Sequence, residues 1–315
     1  MDRVTMTPAS ASKQILGQVR QVVVGKDRTM FWVLAAVLAG GHILLEDLPG
    51  MGKTTMALSF SRVLGLKCNR MQFNPDVLPS DVTGYSVLQQ DTGRLVYQPG
   101  AVLCNLFLAD ELNRATSRTQ SALLEAMEEG QVTVDGVTHP IPKPFIVLAT
   151  QNPTGAAGTQ LLPDSQMDRF MVRLSLGYPG AAAEVAMVLN RQNGDPLDRL
   201  APLLDPAGLM QLRQTVADTY IKAEVVQYIV ELVTATRTCP QILQGASPRA
   251  TLAITAMAKA VARMQGRDYV MPEDVQAVFA ITVEHRLLPA PEWKGRSLRP
   301  VLERLMTGVR APALI

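Results

Sequence analysis

The stretch LEDLPGMGKTT, Leu45 to Thr55, constrains the fold of this chain more than any other. A short apolar run, HILLE, leads into a glycine-containing loop, and Gly-Lys-Thr then opens the helical pattern TTMALSFSRVLG. Strand, loop and helix in that order aim main-chain N–H groups and a helix N-terminus at one point, which is how backbones bind phosphate. Lys53 would reach the β and γ phosphates as a cation, Thr54 would ligate Mg²⁺ through its hydroxyl, and Gly50 and Gly52 would admit close approach of the backbone. One residue departs from the generic pattern: Asp47 stands where the motif's first glycine belongs. The bland alternative is a lysine at an ordinary strand-to-helix turn.

Short apolar runs alternate with helical patterns through the first half of the chain. The expected strands are His42 to Glu46, Arg70 to Phe73, Leu106 to Asp110, Phe145 to Thr150 and Phe170 to Leu174. Hydrophobicity is unbroken in LFLAD and FIVLAT, as in strands covered on both faces of a parallel sheet, so this part reads as α/β. The longest apolar run, Met30 to Leu45, is broken by Gly40-Gly41 and His42 and reads as a buried helix, a turn and a strand. With 315 residues and 47% hydrophobic content, one large domain or two ordinary ones are affordable in core terms.

Two hairpins interrupt the alternation, one around Asp91 to Gly93 and one with Asp135-Gly136 at a two-residue turn. Each could equally be a surface ribbon. After Tyr178-Pro179-Gly180 helical periodicity takes over, with helices expected at Ala182 to Arg191, Pro206 to Thr215, Val225 to Thr238, Pro248 to Met264 and Pro272 to His285. In the fourth, Ser247 can cap, Pro248 suits the first helical position, and Leu252, Ala256, Val261 and Met264 fall near one face. The expected division is an α/β domain over 1–179 and a helical domain over 180–315.

A second chemical signal follows the phosphate loop. NLFLADELNRA is an apolar strand ending in Asp110-Glu111, a Walker B arrangement in which Asp110 can hold Mg²⁺ and Glu111 can polarise a water for in-line attack. Asn152, at the tip of FIVLATQNP, could orient that water or simply cap a loop. The three histidines, His42, His139 and His285, are far apart and lack zinc-site spacing, and the three cysteines form no CxxC pair. This cysteine pattern and the lack of a signal-peptide segment at the N-terminus lead to a cytoplasmic expectation, with no segment long enough to span a membrane.

The ordered motifs VVVGKD, LLEDLPGMGKTT, PSDVTGY, LADELNRA, QSALLEAMEEGQVTVDG, FIVLATQNP, LPDSQMDRF and GASPRA resemble the MoxR family of AAA+ ATPases over nearly the whole chain. The resemblance implies an AAA+ core with a parallel sheet of order 5-1-4-3-2, β-hairpin insertions and a small all-α lid. It implies ATP and Mg²⁺ as cofactors, and a homo-oligomer, usually a hexameric ring. By it, Val24 and Gly25 line the adenine; Pro49, Gly50, Met51, Gly52, Lys53, Thr54 and Thr55 hold the phosphates, and Thr54 and Asp110 serve the metal. Glu111 is the water-activating carboxylate, Asn152 looks like sensor 1, Arg169 like the arginine finger that reaches a neighbouring subunit's ATP, and Arg249 like sensor 2, near the γ-phosphate. Whether Arg249 acts on its own or a neighbour's nucleotide is open at this point. Asn113 and Arg114 are candidates for relaying nucleotide state to the subunit interface. The family's loops also carry an aspartate where Asp47 stands, so its side chain is expected to point away from the phosphates.

The function this implies is Mg-dependent ATP hydrolysis driving remodelling or maturation of client proteins, with a partner carrying a von Willebrand factor A domain. A helicase-type nucleic-acid motor is the competing reading, and a chelatase-like metal-insertion subunit is a third. The net charge of +2, 5% aromatic content and hairpin tips carrying one arginine against two aspartates weigh against nucleic acid.

Overall fold

The computed structural model describes residues 6–47, 50–152, 162–192 and 194–313. The chain opens with helix α1 (Pro8–Val19), capped by the Thr7 hydroxyl, and continues into α2 (Asp27–Leu38), whose run of buried residues from Val33 to Leu38 ends at the Gly40-Gly41 turn. Strand β1 (Ile43–Glu46) follows, then α3 (Lys53–Val63), β2 (Cys68–Gln72), the short α4 (Pro79–Thr83) and the hairpin β3 (Gly84–Leu88) with β4 (Leu95–Pro99). Next come β5 (Leu106–Asp110), α5 (Ser117–Glu129) and a second hairpin, β6 (Gln131–Val134) with β7 (Val137–Pro140). Asp135 and Gly136 both have positive φ, 50° and 76°, as a two-residue hairpin turn of this twist requires. Strand β8 (Ile146–Gln151), the single-turn α6 (Asp164–Met167) and β9 (Val172–Leu174) complete the α/β part.

The remainder is mainly helical: α7 (Ala181–Arg191), α8 (Pro206–Ala217), α9 (Ala223–Thr238), α10 (Pro248–Met264), α11 (Pro272–Val283) and α12 (Arg299–Gly308). Two very short strands, β10 (Ile242–Gln244) and β11 (Leu288–Pro289), pair within it. Among the described residues no helix is long and apolar enough to cross a membrane.

Five strands form one parallel sheet in the order β2-β5-β8-β1-β9. Counting only the sheet strands along the chain, this is 5-1-4-3-2 read from the β9 edge. Every residue of β5 and β8 is buried, the consequence of helices on both faces that their unbroken apolarity predicts. Alternate side chains divide between two cores. Ile43, Leu45, Leu106, Leu108, Ile146 and Leu148 join the helices of the first core, whereas Leu44, Phe107, Val147 and Ala149 join α5 and its surroundings in the second. Phe107 is fully buried, and truncating such a residue to alanine costs about 3–5 kcal/mol.

Some local expectations fail for tertiary reasons. Ser247 precedes α10 but its side chain makes no cap bond; its hydroxyl donates instead to Asp168 at 3.1 Å. Leu252 is 71% exposed, because the buried face of α10 is formed by Ala250, Ile254, Met257, Ala258 and Val261. Helices α1 and α12 lie outside the helices expected from periodicity, although each presents an apolar face to the core: Ala11, Ile15 and Val19 in the first, Val301, Leu302, Leu305 and Met306 in the second.

Candidate nucleotide site

The loop after β1 opens α3 with Gly52 as its N-cap, and no side chain caps that end, so the first amides of the helix face outward. Gly50 and Gly52 have φ of 83° and 88°, and a Cβ added at either would meet open space. Glycine serves here for its left-handed backbone and for leaving the concavity clear. Pro49 lies outside the described residues.

Lys53 is 6% exposed and its ammonium donates to the main-chain carbonyl of Asp47 at 2.5 Å. Burial lowers its pKa, and the charges of Asp47, Asp110 and Glu111 oppose that shift. The Thr54 hydroxyl donates to Asp110 Oδ2 at 3.3 Å, so the end of β5 and the start of α3 bring one hydroxyl and one carboxylate together. An all-oxygen pair of this kind suits Mg²⁺, which takes one or two protein oxygens and completes its shell with water and phosphate.

Burial alone would raise the Asp110 pKa, but hydrogen bonds from Thr150 (2.6 Å) and from Arg70 (2.8 Å) more than offset it and hold the carboxyl below its usual range. Glu111 turns left-handed (φ 57°), and its N–H donates to Thr150 Oγ1 at 2.8 Å. Its pKa is lowered chiefly by the hydrogen bond from Arg114, 2.8 Å from Oε2, against burial and with help from Asn152 and Gln72. Both carboxylates are therefore ionised at neutral pH.

Asn152 Nδ2 lies 3.4 Å from Glu111 Oε1, while its own Oδ1 is buried with no protein partner. Its main chain is clamped by Asn113, which donates to the Asn152 carbonyl at 3.1 Å and accepts from its N–H at 3.3 Å. Glu111 and Asn152 thus meet at the tips of adjacent strands, as their positions in the sequence predict.

A cleft beside the phosphate loop is lined by Val22, Val23 and Val24, by Gly50, Met51, Gly52 and Thr55, and by Pro179, Met187 and Asn190. Val24 and the loop residues are brought together there. Gly25 is not among the lining residues: a Cβ at that position would come within 2.7 Å of Ala183 Cβ, so this glycine makes room for α7. The glycine cradle, the converging oxygens and the apolar cleft fit a nucleotide with its Mg²⁺.

Arg169 and Arg249 lie elsewhere. Arg169 precedes β9, whose Val172 pairs with Ile43 at the start of β1, and so it sits at the amino-terminal edge of the sheet. The phosphate loop leaves the carboxyl-terminal edge. At about 3.3 Å per residue, β1 alone separates the two edges by about 10 Å. Arg169 Nε donates to Glu128 Oε2 at 3.0 Å, and Arg249 pairs with the other oxygen of the same carboxylate. Those bonds, Arg169 first, hold Glu128 below the usual carboxylate range. Arg286, nearly buried, donates to the Phe170 carbonyl at 2.8 Å and stands 3.4 Å from Asp168. Three arginines thus face two carboxylates in an open pocket that also includes Gly41, His42 and Leu252. Within one chain Arg249 lies beside Arg169, both on Glu128, and makes no bond to the phosphate loop.

Arg70, Gln72, Thr150 and Glu128 escaped the sequence reading. Arg70 and Gln72 share one face of β2, and Gln72 is in register with Asp110, so their spacing relative to the Walker B strand was the available signal. The Asp47 carboxylate does point away from the loop, held by Ser175, Leu176 and Gly177, and its backbone is not left-handed.

Comparison with known proteins follows this geometry. The family model of the ATPase family associated with various cellular activities (AAA) matches residues 42–172, and that of the AAA lid domain matches residues 234–305. An uncharacterised Bacillus subtilis protein, YeaC, is 42% identical over 296 residues, covering 93% of this chain and 92% of its own length. Chaperone MoxR1 of Mycobacterium tuberculosis is 36% identical over 306 residues, covering 94% of this chain and 81% of its own length. A crystal structure of a Cytophaga hutchinsonii protein assigned as an ATPase superposes with a TM-score of 0.90 at 35% identity, covering 97% of this chain and 96% of that one. A phosphate loop and a Walker B strand in an AAA sheet, a helical lid, and these full-length likenesses make the chain a member of the MoxR family of AAA ATPases, and so an ATP-hydrolysing enzyme.

Proposed function

We propose that the enzyme is an Mg-dependent ATPase whose catalytic sites are each built from two copies of the chain in a ring, six by family likeness, and that turnover remodels client proteins. The observation that carries this reading is the placement of Arg169 and Arg249 on the edge of the sheet opposite to the phosphate loop. Both are paired with Glu128 and neither bonds to its own loop, yet a guanidinium is the group that offsets charge on a transferred phosphoryl group. A second copy presenting this edge to the loop of the first supplies both arginines at once.

In that arrangement Lys53 and the amides from Gly50 onward bind the phosphates, Thr54 and Asp110 hold the metal, and Val24 with α7 encloses the base. Glu111 takes a hydrogen bond from the attacking water, and Asn152, fixed by Asn113, orients it. When bound, Mg²⁺ would neutralise charge between the phosphates. Arg114 ties up one oxygen of Glu111, so it sets how much of that carboxylate is open to the water. The boundary near residue 179 divides the part that binds the phosphates from the part that carries Arg249.

Support for a protein client comes from the hairpins. Leu88, Leu95 and Val137 are 59%, 65% and 57% exposed, and the two hairpins are joined by a Tyr97–His139 stack at 3.7 Å. Exposed apolar side chains on rigid ribbons suit an unfolded polypeptide better than a phosphate backbone. The von Willebrand factor A partner rests on family likeness alone, as does a cytoplasmic setting. The test is a Glu111→Gln trap loaded with ATP. Retention of specific proteins, with no stimulation by DNA or RNA, supports the reading; salt-sensitive stimulation by nucleic acid, with no protein retained, overturns it.

A further inference from the structure

Asp47 occupies the position that the generic phosphate loop gives to glycine, and the mechanism above leaves its carboxylate unused. It is 7% exposed, and that carboxylate accepts from the Ser175 hydroxyl at 2.7 Å, the Leu176 N–H at 2.6 Å and the Gly177 N–H at 3.1 Å. The carbonyl groups of the same three residues are taken from the other side. Thr29 donates to Ser175 O at 3.0 Å, and Lys26 donates to Leu176 O at 2.9 Å and to Gly177 O at 2.5 Å. Burial lowers the Lys26 pKa and the charge of Asp47 opposes that shift, so the two ions support each other across the segment.

Residues 175–177 lie after β9 ends at Leu174 and before α7 begins at Ala181. They are the connection from the sheet to the helical part, and side chains hold them where a ladder no longer does. Helix α7 in turn lines the nucleotide cleft with Met187 and Asn190. The main-chain carbonyl of Asp47, meanwhile, accepts the Lys53 ammonium, the cation placed to meet phosphate. One residue therefore touches the phosphate-sensing lysine with its backbone and the lid connection with its side chain.

We infer that Asp47 is a positioning residue that couples occupancy of the phosphate loop to the angle of the lid. When Lys53 leaves the Asp47 carbonyl for a phosphate, the backbone at 47 shifts, and a carboxylate fixed by two amides and a hydroxyl carries that shift into residues 175–177. A buried carboxylate with three donors transmits displacement well because each bond is charge-assisted and costly to leave unmade. The neighbouring Glu46–Arg173 pair (3.3 Å), which continues to Glu284 in the helical part (3.9 Å), runs alongside. The inference rests on the ATPase reading.

The test uses the full chain with Cys68→Ser, and spin labels on cysteines introduced at the exposed positions Arg118 in α5 and Glu231 in α9. The distance between labels is measured with and without Mg²⁺ and a non-hydrolysable ATP analogue, and affinity for the analogue is measured separately. Asp47→Asn should keep affinity within about threefold of the parent while abolishing the ligand-induced change in distance. An unaltered change, or a collapse of affinity, would overturn the inference. Where Asp47→Asn does not fold, Ser175→Ala removes one of the three donors and should shrink the change at unaltered affinity; an undiminished change overturns the inference equally. A parent that binds the analogue without any change in distance rejects the coupling and leaves the ATPase reading standing, whereas a parent that does not bind it rejects that reading.

Discussion

The two edges of the central sheet carry opposite chemistry. At the carboxyl-terminal edge, Thr54 and Lys53 from one helix meet Asp110, Glu111 and Asn152 from the ends of two strands; Thr54 bonds to Asp110 and Asn152 to Glu111, while Lys53 holds the Asp47 carbonyl. At the amino-terminal edge, Arg169, Arg249 and Arg286 crowd around two carboxylates with a surplus of positive charge. The first edge holds what is needed to bind a nucleotide and aim a water. The second holds guanidinium groups suited to offsetting phosphoryl charge, and in a single copy they pair with Glu128 and Asp168 instead of with the first edge. On the proposed reading these are two half-sites, and their separation would make assembly part of catalysis.

Breaking the amino-terminal half should have the largest effect. Arg169→Ala is expected to lower kcat by about 10³-fold or more with little change in nucleotide affinity, since fingers of this kind are worth 10³–10⁵; steady-state turnover and equilibrium binding measured on the same variant check both parts. Breaking the carboxyl-terminal half through Glu111→Gln should cost about 10²–10⁴ in kcat while ATP remains bound, seen as retained ATP after rapid gel filtration.

The two edges should also differ in acid. His42 accepts the Val147 N–H at Nδ1, so its proton sits on Nε2 facing the Met127 carbonyl; burial pushes its pKa down to about 4. His285, also at this edge and bonded to the Phe170 carbonyl, is pushed well below its ordinary value by burial. A group depressed in the folded state binds its proton first in the unfolded one. The histidine contribution is therefore complete above the unfolded pKa near 6.5 and is lost as pH falls from there towards 4, by about 3 kcal/mol for His42. Asp110 and Glu111, also depressed, contribute above their unfolded values near 4 and lose that contribution only below them. Denaturant unfolding at pH 7 and pH 5 should show a loss in the parent that is smaller in His42→Phe. A loss that the substitution leaves unchanged would place the acid sensitivity elsewhere.

The smallest effect sharpens the carboxyl-terminal half alone. Asn113→Ala releases the Asn152 main chain and should lower kcat about tenfold, in line with one or two hydrogen bonds of net value near 1 kcal/mol. Affinity for ATP should not move.

These halves were legible in the sequence to different degrees. The phosphate loop and Walker B strand are local: a few residues of fixed spacing create their own geometry, so Gly50 to Thr55, Asp110 and Glu111 could be read directly. The parallel sheet followed from unbroken runs such as LFLAD. The location of Arg249 could not be read, because it depends on how α10 docks, and that docking uses Ser247 on Asp168 rather than as a cap. Asp47 shows the same limit, since its partners lie 128 to 130 residues away and no local rule connects them. Leu252 was misread because the helical spacing does not place it with Val261: nine residues apart they lie on opposite sides of α10, and only the side of Val261 is covered.

The most direct test of two half-sites is to mix two inactive variants. Glu111→Gln has an intact arginine edge, and Arg169→Ala has an intact nucleotide edge. If each site is built from two copies, a random equal mixture pairs intact halves at about a quarter of the contacts in a head-to-tail ring, and ATPase activity should return to about that fraction of the parent. Activity no higher than the average of the two variants alone would contradict the account.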